Sequence, residues 1–202
     1  MPRYGEIDRD YAKRLRSTAA DGPIYMLGLT CFLAASAGKS GDRDPATAYA
    51  PIPILASAGA VLCFAADVLA STGGWDRVAV ISYPSRKAFV DLAYRADFQA
   101  WHVTKEDQLE RTTVLGTLPV GGLPGPASHG RMLLEAWAGA EPAPVTAGLA
   151  TGFTVEGTVI GDGRRWSGVR YTPIEPGVPL PLQEAAPGYQ ALLLEPTIER
   201  WR

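Results

Sequence analysis

The chain has 202 residues, 47% of them hydrophobic and 20% charged, with a formal net charge of −2; that length fits one large domain or two small ones. Near-neutral charge without a dense Lys/Arg cluster excludes the electrostatic footprint of a nucleic-acid binder. The charges in the opening "MPRYGEIDRDYAKRLRS" exclude the apolar core of a signal peptide there, so a cytoplasmic location is expected.

Taken in chain order, Ile7 to Ala19 read as a short helix, with Ile7, Tyr11 and Leu15 on one side. "IYMLGLTCFL" after Pro23 reads as a buried strand, and "AGKSGDRDP" as a loop. "ATAYAPIPILASAG" has the length of a helix stopped at Gly59. Residues 22–38 and 45–66 carry no charge, but a spanning helix needs about 20 strongly apolar residues. The first run is short, and Pro51 and Pro53 break the second, so both read as buried elements and no membrane partner is expected. Cys31 and Cys63 lie inside apolar runs without C-x-x-C spacing, the pattern of buried, reduced thiols.

"AVLCFAADVLA" and "RVAVISY", joined by "STGGWD", read as an antiparallel hairpin. Ser85 is placed to cap a helix over "RKAFVDLAYRA", Asp97 to cap a second over "DFQAWHVTKEDQLER", and "TTVLGTL" closes the unit as a strand. The order α-β-α-β-β-α-β is a ferredoxin-like β-α-β-β-α-β plait with an extra N-terminal helix. Residues 119–130, "PVGGLPGPASHG", have the composition of a linker. Beyond it come a strand at "RMLLEAWAG" and a hairpin turning at Asp162–Gly163. A helix signal with a short terminal strand then fills "PLQEAAPGYQALLLEPTIERW".

The second half echoes the first. Trp75 stands as far before Phe98 as Trp166 stands before Tyr189, and each aromatic begins an aromatic-Gln-Ala triplet. The expected fold is therefore α+β: two ferredoxin-like plaits packed sheet to sheet as an intramolecular dimeric α+β barrel. Its parts would be residues 1–118, a linker at 119–130, and a shortened second copy at 131–202. Either a monomer with this internal pseudo-dimer or a homodimer would follow.

"DGPIYMLGLTCF", "AYAPIPILASAG" and "WDRVAVISYPSRKAFVDLAYRADFQAW" resemble, over residues 21–118, the domain of unknown function 1330 family of the dimeric α+β barrel superfamily. Family members usually carry Asn where Gly28 stands and a His-rich helix where this chain has only His102. The resemblance implies sheet-paired plaits around a cavity. In the wider superfamily such barrels serve monooxygenases, isomerases, cyclases and haem proteins.

His102 reads as a general base or haem ligand on a helix, whereas His129 lies in the linker. Tyr25, Gly28, Asp67, Arg77 and Tyr83 are placed to line a cavity, or Asp67 and Arg77 to be strand-end surface charges. Glu135 shares a strand face with Trp137, since they differ by two. Among apolar neighbours Glu135 reads either as a general base of raised pKa or as a partner of Arg170 across the sheet. The expected catalytic set is Glu135, His102, Asp67 and Tyr83; Tyr25, Arg77, Trp137 and Trp101 would bind substrate. No ligand spacing for a metal and no phosphate loop occurs, so no cofactor is expected, haem being the alternative. The expected function is an isomerase, cyclase or oxygenase acting on a hydrophobic small molecule in the barrel, with a non-catalytic ligand-binding or interaction domain as the alternative.

Overall fold

A computed structural model describes residues 6–18, 21–33, 51–125, 130–145, 149–175, 182 and 187–201. The loop expected at 37–45, the start of the helix expected at 46–59, His129, and residues 183–186 of the expected last helix lie outside the described residues. The strands are β1 (Glu6–Ile7), β2 (Asp21–Phe32), β3 (Val61–Ser71), β4 (Arg77–Ser85), β5 (Leu109–Val120), β6 (Met132–Trp137), β7 (Thr151–Gly161), β8 (Gly168–Pro173) and β9 (Tyr189–Glu199). The helices are α1 (Arg9–Ser17), α2 (Ile52–Ser57), α3 (Arg86–Ala93) and α4 (Ala96–Glu106). Among the described residues no helix is long and apolar enough to cross a membrane.

Capping side chains and a glycine set the helix ends. Asp8 caps α1, its Oδ1 accepting from the Tyr11 N–H at 2.8 Å. Ser85 caps α3 by accepting from the Ala88 N–H at 3.1 Å. Gly59, with φ of +69°, takes the left-handed turn that follows α2. Asp97 does not cap α4: Arg95 holds that position, and Asp97 lies one residue inside the helix, paired with Arg95.

The expectation of two plaits packed sheet to sheet is overturned. All nine strands belong to one antiparallel sheet in the order β1-β7-β5-β2-β4-β3-β9-β6-β8. A further pairing of β7 with β8 closes eight of them into a barrel, leaving β1 alongside the far end of β7. The two halves meet edge to edge through backbone ladders. β3 bonds to β9, with Ala65 opposite Ile198, and β5 bonds to β7, with Thr117 opposite Val155. Closure is the physical reason for the difference, because it satisfies the edge N–H and C=O groups that two stacked sheets would leave unpaired. Each half still places its fourth, first, third and second strands side by side: β5-β2-β4-β3 and β9-β6-β8-β7.

The second half contributes no helix among the described residues. The Tyr189-Gln190-Ala191 triplet, expected on a helix, opens the eleven-residue strand β9, whereas Phe98-Gln99-Ala100 lies on α4. The aromatic triplets therefore do not correspond; Trp75 and Trp166 do, each preceding the third strand of its half. Pro119 and Val120, expected in a linker, are the last residues of β5 and pair with Phe153 and Gly152. Nor is the expected hairpin tight. β8 pairs with the start of β7, Thr154 opposite Gly168, well away from the Asp162–Gly163 turn.

Alternation along each strand sends one set of side chains inward. Tyr25, Leu27, Phe64, Val78, Leu115, Leu134, Phe153, Tyr171 and Leu192 belong to one buried cluster with members from all eight barrel strands. Trp75 and Trp166, each just ahead of a strand, join it, and Trp201 packs against it. Tyr171 meets Phe64, Phe153 and Trp201 at ring separations of 5.9, 5.5 and 5.5 Å. An eight-stranded barrel is about wide enough for side chains to fill, and aromatic residues fill this one. The outward set on the first half, including Met26, Leu62, Ala79 and Tyr83, packs under Tyr11 and Leu15 of α1, Leu55 of α2 and Val90 of α3.

Candidate functional site

An apolar hollow of about 550 Å³ lies outside the barrel wall, between the outer face of the first-half sheet and the helices. Its floor is a depression of small residues. Gly28 on β2 pairs with Ala79 on β4 and Val114 on β5, and all three line the hollow. A Cβ added at Gly28 would meet nothing nearer than the Ala79 carbonyl oxygen at 3.8 Å. The missing side chain is therefore what deepens the floor.

The roof is α4. Phe98, Trp101, His102 and Lys105 stand at i, i+3, i+4 and i+7, one face of a helix, and all four line the hollow. The Phe98 ring lies 5.7 Å from Trp101 and 6.1 Å from His102, and the Lys105 ammonium sits 5.5 Å over the Trp101 ring. Phe89, Val90 and Tyr94 contribute from α3 or its end, and Ala12 and Leu15 from α1. Tyr94 and Val103 are largely exposed at the mouth. Tyr83 reaches the site from β4; burial pushes its phenol well above the ordinary tyrosine range, and its ring meets Phe89 edge-on at 5.1 Å.

Three of the eight site residues expected from sequence thus meet in one place: His102, Tyr83 and Trp101. The other five do not. Tyr25 points into the filled barrel, where its ring meets Phe153 at 5.8 Å. Asp67 and Arg77 face each other at the β3–β4 strand ends, with Arg77 Nε and Nη2 donating to Asp67 Oδ1 at 2.9 and 2.7 Å. They are each other's partners, with Asp67 nearly half exposed.

Glu135 and Trp137 lie on the outer wall of the second half. Alternation sends Met132, Leu134 and Ala136 inward and Leu133, Glu135 and Trp137 outward. Arg170, opposite Glu135 on β8, donates from Nε to Oε2 at 2.8 Å and from Nη2 to Oε1 at 2.9 Å. The Tyr189 hydroxyl donates to Oε1 at 2.8 Å. Arg170 Nη1 reaches Glu141 and the Pro142 carbonyl, and its guanidinium lies 5.4 Å over the Trp137 ring. The cross-sheet partnership with Arg170, and not an isolated carboxylate, is what the fold realises.

A second, polar hollow of about 710 Å³ lies between α1 and the outer face of β7, lined by Asp8, Asp10, Arg14, Glu156, Arg164 and Arg165 among others. Its Glu156 is already held by Arg86, which forks onto both carboxylate oxygens, and by the Tyr11 hydroxyl at 3.3 Å. Among the described residues no group of three or more His, Cys, Asp or Glu side chains is placed to hold a metal ion.

Sequence reasoning passed over Phe98, Gln99, Tyr94, Val103 and Lys105 as site residues. The signal that finds them is the i, i+3, i+4, i+7 spacing of Phe98, Trp101, His102 and Lys105, which the triplet reading of Phe98 obscured.

No protein-family model and no curated protein matches the chain. The resemblance to the domain of unknown function 1330 family therefore rests on the motif residues of 21–118 alone. Two crystal structures are similar to it. The methylated RPA0582 protein is 20% identical with a TM-score of 0.47, over 62% of this chain and 99% of its own. RPA0582 from Rhodopseudomonas palustris, described as a structural genomics target of unknown function, is 18% identical with a TM-score of 0.45, over 60% and 98%. Neither likeness is close enough to carry an argument about activity.

Proposed function

We propose that this chain binds an apolar small molecule in the hollow between α4 and the barrel wall. The observation that carries the reading is the Gly28–Ala79–Val114 floor beneath the Phe98–Trp101 roof. It is a concave, mostly apolar site of about 550 Å³ with a few polar groups at its edge, within the ~300–1,000 Å³ span of small-molecule pockets. The barrel interior is filled by its own aromatic side chains.

The test uses Nile red, an uncharged apolar dye, with the difference in tryptophan energy transfer between the parent chain and Trp101→Phe as a second readout. Gly28→Leu fills the floor; a Cβ there meets only ordinary contacts, and unchanged circular dichroism checks that the variant is folded before dye is added. The dye should bind the parent chain and lose at least tenfold in affinity with Gly28→Leu. Equal binding by the two would place the dye elsewhere and sink the reading.

A second reading, proton transfer on the bound molecule as in an isomerase or cyclase, is favoured by one observation: His102 and Tyr83 line the same apolar hollow. The raised pKa of Tyr83 suits it to donating a hydrogen bond, leaving His102 as base. Deuterium exchange at the α-carbon of a bound aryl ketone, followed by NMR in heavy water, should be lost in His102→Gln. Exchange at the same rate in both chains would leave binding as the whole activity.

A further inference from the structure

Among the described residues that line the hollow, Tyr83 on β4 is the one polar side chain that is buried, with 2% of its surface exposed. Its ring is held edge-on by Phe89 at 5.1 Å. Its hydroxyl has no hydrogen-bond partner among the described residues. Burial is the sole cause of its raised pKa, whereas Tyr11 and Tyr189, similarly raised, donate to Glu156 and Glu135. The described polar side-chain atoms that are sealed in the protein without a partner are Trp166 Nε1, Thr172 Oγ1 and Trp201 Nε1. The Tyr83 hydroxyl is not one of them, so it opens onto the hollow that its residue lines. Buried polar groups in folded chains are nearly always hydrogen-bonded. An open phenol on an apolar wall therefore marks where a ligand atom belongs.

Kept protonated by burial, this phenol offers its O–H as a donor. The floor offers no matching acceptor, because β2 and β4 are each laddered on both sides and their backbone groups are already used. An N–H or O–H on the ligand would go unpaired there, and a carboxylate would bury its charge against Gly28, Ala79 and Val114. Resting on the reading that this hollow binds a small molecule, we infer that its occupant is a neutral carbonyl compound, a ketone, ester or lactone on an apolar body, whose carbonyl oxygen accepts a hydrogen bond from the Tyr83 hydroxyl. No charged side chain is needed to hold that oxygen.

The experiment is displacement of Nile red by three ligands with one body, the dye's own affinity being measured first for each chain. They are 2-acetylnaphthalene, 2-isopropenylnaphthalene, in which a methylidene group replaces the carbonyl oxygen, and 1-(2-naphthyl)ethanol. In Tyr83→Phe, which keeps the ring against Phe89, the ketone should lose about five- to thirtyfold in affinity, while the hydrocarbon stays within about twofold of its parent value. In the parent chain the ketone should bind more tightly than the alcohol, and its carbonyl stretch should lie at lower frequency than in Tyr83→Phe. An equal loss for ketone and hydrocarbon, no loss for the ketone, or an unmoved carbonyl stretch overturns the hydrogen bond while leaving apolar binding in place. Alcohol binding as tight as the ketone's overturns the restriction to ligands without a donor. Failure of the dye to bind the parent chain removes the underlying site, and the inference with it.

Discussion

Glu135 and Arg170 face each other across the β6–β8 ladder on the outer wall of the barrel, joined by two hydrogen bonds, with 0% and 4% of their surfaces exposed. A carboxylate so enclosed would be costly without its partner. The Tyr189 hydroxyl and the Glu141 side chain complete a network that fastens residues 141 and 142 over the pair. Arg170→Met should destabilise the chain by about 3–5 kcal/mol, since it leaves a buried carboxylate uncompensated. The double variant Arg170→Met with Glu135→Leu should recover most of that loss, because an apolar pair of similar volume needs no compensation. Urea unfolding of the three chains checks both points. A double variant no more stable than Arg170→Met would mean that the network does something other than neutralise Glu135.

The Asp67–Arg77 pair is the contrasting case. Arg77 is buried, but Asp67 is nearly half exposed and can exchange its partner for water. Arg77→Met should therefore cost only about 1 kcal/mol. A loss as large as that of Arg170→Met would show that the strand-end pair is far less hydrated than its exposure indicates.

Helix α1 is seated by the absence of two side chains. Tyr11 lies across Gly116 and Gly157, where an added Cβ would come within 2.2 Å of its hydroxyl oxygen and 2.3 Å of its ring. Gly157→Ala should cost about 1–3 kcal/mol by overpacking, and Tyr11→Leu should relieve part of it in the double variant. A double-mutant cycle on thermal unfolding measures the coupling. Strict additivity would contradict the contact.

Local features of this fold were legible because neighbouring residues encode them. Ser85 and its helix, Gly59 after α2, and the β3–β4 hairpin across "STGGWD" all depend on a few adjacent positions. Barrel closure was not legible, because the pairings that make it, Ala65 with Ile198 and Thr117 with Val155, join residues far apart in sequence. Period-two alternation says which side chains share a strand face, but not which face turns inward. Glu135 and Trp137 were placed together correctly for that reason, yet their position on the outer wall depends on β9 as a neighbour. The same limit moved the expected cavity from the barrel, which aromatic side chains close, to the sheet surface under α4. There, three of the eight expected site residues meet because one helix face and one strand carry them.

Alkaline pH should weaken the fold through its buried tyrosines. Burial pushes Tyr83 and Tyr171 well above the ordinary range; it does the same to Tyr11 and Tyr189, helped by Glu156 and Glu135 respectively. An unfolded tyrosine ionises near pH 10. Below that, both states keep the phenolic proton and the stabilisation is whole. Above it, the unfolded chain releases protons that the folded chain retains, so stability falls as pH rises, by up to about 1.4 kcal/mol per pH unit for each of the enclosed Tyr83 and Tyr171 until its folded pKa is reached, and by less for Tyr11 and Tyr189, which are less deeply enclosed. Tyr83→Phe removes one of these groups and keeps the ring against Phe89. Urea unfolding between pH 8.5 and 11 should therefore give a shallower decline for Tyr83→Phe than for the parent chain, with the two curves diverging only above about pH 10. Parallel curves across the whole interval would mean that the Tyr83 phenol ionises as readily in the fold as outside it, and that the floor of the hollow beside it is wet.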